Sequence, residues 1–147
     1  MENLGIYYAN DNHLSIILVE YLKNKIKKSC NVITFFETGI QDKINKILVK
    51  SNVENNLIKE TNFSKVTETS NIKIKPAEES KELIIIVKGS KQYINNVIEK
   101  LDNNKYITQN KKAKIIKCYN IETQKDEIIE NIKENKKIVT TSGEKIS

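Results

Sequence analysis

Glu82–Leu101 reads ELIIIVKGSKQYINNVIEKL, and this stretch decides the fold. Leu83–Val87 is an unbroken apolar run rich in β-branched residues, the pattern of a strand covered on both faces. Ile94, Val97, Ile98 and Leu101 then recur at helical spacing and define one apolar face. Between them Gly89 permits a tight turn and Ser90 is suited to cap a helix N-terminus. A strand, a Gly-Ser turn and an amphipathic helix make one βα unit of an open α/β sheet.

The same alternation extends in both directions. Leu4–Tyr8 (LGIYY) predicts a first strand, with Gly5 marking a place for close backbone approach. A helix is expected over His13–Lys28, with Leu14, Ile17, Leu18, Tyr21, Leu22 and Ile26 facing inward and Asp11 or Asn12 as its cap. Asn31–Phe36 predicts a second strand. Ile40–Lys50 predicts a second helix, and Ser51-Asn52-Val53-Glu54 is a capping box that opens a short third one. Thr61–Ser70 is polar, anchored by Phe63 and Val66. Asn71–Lys75 alternates like an edge strand and stops at Pro76. Beyond the central unit, Lys105–Asn110 is ambiguous between strand and loop, and Lys114–Tyr119 reads as a strand. Thr123–Asp126 resembles a cap for a helix ending near Glu134, with Ile128, Ile129 and Ile132 turned to the core. Lys137–Thr141 predicts a last strand and Ser142–Ser147 a polar tail. The expected fold is one α/β domain spanning 1–147: a three-layer sandwich with a mostly parallel sheet and helices on both faces.

Composition narrows the function classes. The chain has 147 residues, enough for one ordinary domain, and its net charge is +6. All 25 basic residues are lysine, so the bidentate arginine fork that reads guanine is missing. The lysine patches Lys23–Lys28, Lys111–Lys117 and Lys136–Lys137 lack interleaved aromatics, which reads as solvated surface rather than as a specific nucleic-acid interface. The two cysteines, Cys30 and Cys118, and the single histidine, His13, cannot assemble a Cys/His zinc site, and no cofactor or metal is expected. Reduced thiols, a first segment unlike a signal peptide and the lack of a run of about 20 apolar residues suggest a cytoplasmic chain off the membrane.

Two turns gather polar groups where a parallel sheet binds ligands, at the carboxyl ends of its strands. One holds Asn10, Asp11 and His13; the other is Gly89-Ser90-Lys91. Each precedes a helix whose N-terminal N–H groups favour an anion. Neither G-x-x-x-x-G-K-[ST] nor G-x-G-x-x-G is present, and no nucleophile elbow occurs, so no catalytic residue is assigned.

The whole chain resembles the MEDS domain, the sensory domain of methanogen and methylotroph regulators of the DcmR type. LGIYY followed by HLSIILVEYLKNKIKKSCNVITFF is similar to that family's opening strand, long helix and second strand. IIKCYN at Ile115–Asn120 looks like its late strand, and DEIIENIKENKKIVTT like its closing helix and strand. Asn3 and Asn135 stand where the family often has histidine; if those histidines serve the ligand, the resemblance implies that this chain has lost or changed that binding. The resemblance implies a prokaryotic regulatory domain with a fold related to nucleotide-binding α/β proteins. The expected function is therefore a non-enzymatic sensory or signalling module for a small polar or anionic ligand, a partner protein, or both. The alternatives are a nucleotide-binding or transferase-like enzyme using the Gly89–Lys91 turn, and a non-specific lysine-driven nucleic-acid binder.

Overall fold

The computed structural model describes residues 2–26, 30–40, 43–44, 46–47, 63–65, 82–134 and 136–146. Strands β1 (Glu2–Tyr8), β2 (Asn31–Phe36), β3 (Phe63–Lys65), β4 (Leu83–Lys88), β5 (Ala113–Asn120), β6 (Lys137–Thr140) and β7 (Gly143–Ile146) form one sheet. The helices are α1 (Asp11–Ile26), α2 (Lys91–Asp102), the short α3 (Lys105–Thr108) and α4 (Lys125–Lys133). Strand order is β3-β2-β4-β5-β1-β6-β7, every pairing parallel except the β6–β7 hairpin.

That order dictates the layers. From β1 the chain moves three places along the sheet to β2; from β4 and from β5 it moves the opposite way. Right-handed crossovers in opposite directions put their helices on opposite faces. One core accordingly packs α1 (Leu14, Leu18, Leu22) and Ile40 and Ile44 against Ile6, Phe36, Ile84, Ile86 and Cys118. The other packs Ile94, Val97 and Leu101 of α2 and Ile107 of α3 against Phe35, Ile85, Val87 and Ile115. Central β4 is buried at every position, as its apolar run requires. Tyr8 points into the first core and Tyr7 packs against the second, as strand alternation demands.

Several local expectations change. Asn10, not Asp11 or Asn12, caps α1: its Oδ1 accepts the His13 N–H at 2.9 Å, and Asp11 falls inside the helix. Phe63–Lys65, expected as polar connection, pairs with β2 as strand β3. Lys105–Thr108 resolves as a helical turn. Thr123 does not cap α4; Asn120 Oδ1 accepts the Glu122 and Thr123 N–H groups in an Asx turn, and Gln124 sits at the cap position with its side chain turned elsewhere. On α4 only Ile128 packs on the core, while Ile129 and Ile132 are exposed and Asn131 is buried. The reason is rotation: Asn131 Nδ2 donates to Tyr7 Oη at 2.6 Å and lies where a Cβ on Gly5 would meet it at 2.9 Å. The close approach at Gly5 is thus to a side chain rather than to a backbone. The expected polar tail contains β7, joined to β6 by a tight turn that Gly143 closes at φ +101°. The expected elements at Ser51–Lys59 and Asn71–Lys75, most of Ile40–Lys50, and Asn135 lie outside the described residues.

Candidate functional site at the carboxyl edge of the sheet

The two turns singled out in the sequence do emerge on one edge, because β1 and β4 both run parallel to β5 between them. Their helices lie on opposite faces, so the turns flank the edge from two sides, with the exit of β5 between them. Lys88, the last residue of β4, joins them. Its side chain points to the α1 face, where Nζ donates to Thr38 Oγ1 at 2.9 Å and lies 3.6 Å from Asp11 Oδ1. It is 6% exposed, a buried cation held by one half-exposed carboxylate and one hydroxyl. The sequence carried a signal for it: a charged residue closing an otherwise apolar run, LIIIVK.

The N-terminus of α2 already holds an anion. The Glu37 carboxylate, just past β2, accepts the Ser90 N–H at 2.9 Å and faces Ser90 Oγ at 3.4 Å. Ser90 Oγ in turn accepts the Tyr93 N–H at 3.2 Å, the capping bond expected of it. Gly89 is obligatory for this arrangement, since a Cβ there would meet Tyr93 Cδ1 at 2.5 Å and Glu37 Cβ at 2.9 Å. The Tyr93 hydroxyl is buried without a hydrogen-bond partner among the described residues, and burial, followed by the Glu37 charge, raises its pKa. Gln124, also buried, bridges the exits of β4 and β5: Nε2 donates to the Gly89 carbonyl at 3.0 Å and Oε1 accepts the Asn120 N–H at 2.8 Å.

His13 accepts the Ala9 N–H on Nδ1 at 2.9 Å, which leaves Nε2 as its outward donor. It lines a cavity of about 250 Å³ with Ile17, Tyr7 and Val139–Thr141, on the β6 side of β1 rather than toward Gly89. Lys91 is exposed and lines a separate cavity between α2 and α4. Asp11 therefore meets Lys88, Ser90 meets Glu37 and Gly89 meets Gln124, while Asn10 only caps α1, and His13 and Lys91 face outward on the two flanks. Cys118 sits in the core beside Lys88, and burial pushes its thiol up to about 12, an inert state at neutral pH. Cys30 is likewise a free, buried thiol.

Among the described residues no group of three or more His, Cys, Asp and Glu side chains could hold a metal ion. No helix among them is long and apolar enough to cross a membrane. Asn3, one of the positions where the resemblance expects histidine, lies exposed on β1. Compared with known families, with curated proteins and with solved structures, this chain matches none of them.

Proposed function

We propose that the chain is a non-enzymatic sensory or signalling domain of the MEDS kind, which takes a small polar or anionic ligand at the carboxyl edge of its sheet and passes that state to a partner protein. The observation that carries this reading is the Glu37 carboxylate seated on the N-terminus of α2. It occupies the position an anionic ligand would take. A ligand that displaced it would release Glu37 at the exit of β2. Thr38, the next residue, holds the buried Lys88, and Lys88 faces Asp11 at the start of α1. Ligand occupancy would thus be felt at three strand exits at once. The resemblance to the sensory family supports the same class.

Inorganic phosphate serves as the probe, titrated by amide NMR against the full chain and its Glu37→Ala variant. Phosphate should bind the variant more tightly, by roughly tenfold or more, because the internal competitor is gone. Shifts should centre on Ser90–Tyr93 and reach Ala9–His13. Equal affinity for both proteins, or shifts confined to Lys23 and Lys25, would reject the reading. Any nucleic-acid binding should be sequence-independent and collapse as salt rises, since lysine contacts act through counterion release.

A further inference from the structure

A second cavity, independent of the reading of the carboxyl edge, lies between α2 and α4 above β5. Its volume is about 150 Å³. Lys117 forms part of its floor, on a central strand whose neighbours on the same face, Ile115 and Tyr119, are buried core residues. A lysine at such a position ordinarily has a partner. Among the described residues Lys117 makes no hydrogen bond and no ion pair; burial, followed by the charge of Lys136, lowers its pKa against the weaker opposing charges of Glu134, which also lines the cavity, and Asp102. Lys136 itself is paired, 2.8 Å from Glu134. Lys91 on α2 adds a second amine at the rim, and across the cavity α4 presents Glu127 and Glu130, which have no partner among the described residues. The Asn131 amide, tied to Tyr7, fixes the wall behind them.

We infer that this cavity binds a small zwitterion, an α-amino acid with a short side chain, its carboxylate on Lys117 and its ammonium on Glu127 and Glu130. A simple anion would meet the two carboxylates, and a simple cation would leave Lys117 unpaired; an occupant bearing both charges satisfies each side. Size points the same way. A cavity of this volume accepts benzene when apolar, which sets the occupant at about six to eight non-hydrogen atoms.

The test is calorimetric titration of the full chain with L-alanine and L-serine, beside propionate and ethylamine, each of which keeps only one of the two charges. The amino acids should bind at least roughly tenfold more tightly than either single-charge probe, as expected for the loss of one charge-assisted contact. Lys117→Gln and Glu127→Gln should each remove most of that affinity. Glu127 lies on the outer helix, so its variant covers the case in which the strand substitution fails to fold. Glu37→Gln should leave amino-acid binding unchanged, which separates this site from the carboxyl edge. Propionate binding as well as alanine, no heat from any amino acid at millimolar concentration, or unaltered affinity in Glu127→Gln would overturn the proposal.

Discussion

The two ends of the sheet carry charge in opposite ways. At the amino edge, Lys114 lies 3.1 Å from Glu82, 3.0 Å from Glu144 and 4.0 Å from Glu2. Lys25 reaches both oxygens of Glu82 at 3.0 and 3.2 Å, and the Tyr21 hydroxyl donates to Glu144 at 3.0 Å. Lys114, Glu82 and Glu144 each have more than one partner there, and the partners come from α1, β1, β5, β7 and the residue before β4. At the carboxyl edge Lys88 is more deeply buried but has one carboxylate, at 3.6 Å, and one hydroxyl. The redundant network behaves as a clamp, because losing one contact leaves others in place. The sparse one leaves groups whose partners an incoming ligand can exchange. The difference teaches where to look for function: not at the densest cluster of charge, but where buried polar groups are held by the fewest contacts.

The largest effect should come from breaking the carboxyl edge sterically. Gly89→Ala drives a methyl into the Tyr93 ring and Glu37. A loss of about 3 kcal/mol is expected, at the upper end for overpacking, because the Tyr93 ring is packed against the second core. Denaturant unfolding monitored by circular dichroism measures it, and a loss under about 0.5 kcal/mol would show that Tyr93 moves freely.

Breaking the clamp at the other end should cost somewhat less. Lys114→Met leaves Glu144 and Glu82 without their shared cation, a loss of about 2 kcal/mol at neutral pH given the partial exposure of the partners. The pH dependence follows from the shifts. Burial opposes ionisation of Glu82 and Glu144, but bonds from Lys25 and Lys114 to the first, and from Lys114 and Tyr21 to the second, outweigh it and hold both pKa values below the usual range. Their contribution is complete above the unfolded value, about 4.3, and drains away as pH falls through the folded values. For Lys114 burial is outweighed by its bonds to Glu144 and Glu82, so its pKa is raised; its contribution is complete below about pH 10.4 and fades only as pH rises through the higher folded value. Melting temperature against pH should therefore drop in acid for the wild type and drop less for Lys114→Met. Parallel curves would mean that the network does not hold in solution.

The smallest effect sharpens the contrast. Ser90→Ala removes the cap bond to Tyr93 but leaves the Ser90 backbone N–H on Glu37. It should cost about 1 kcal/mol and leave phosphate affinity within about twofold. A larger loss of binding would make the hydroxyl itself a ligand contact.

The sequence by itself determined the layers. Leu83–Val87 has no polar alternation, so its strand had to be covered on both faces, and the helical spacing of Ile94, Val97 and Leu101 supplied one cover while Leu14, Leu18 and Leu22 supplied the other. Apolar periodicity is local and survives reading one residue at a time. The Ser90 cap was legible for the same reason, as were the two turns that flank the carboxyl edge. Only the tertiary structure decided the rest. Strand order brings Glu37 to Ser90 across 53 residues and Asn131 to Tyr7 across 124, and no local pattern encodes such pairings. It also turned Ile129 and Ile132 outward, because a hydrogen bond from Asn131 fixed the rotation of α4. Short-range patterns set which faces are apolar; the closing of distant segments sets which polar groups meet, and the meeting of Lys88, Glu37 and Gln124 across three strand exits is of that second kind.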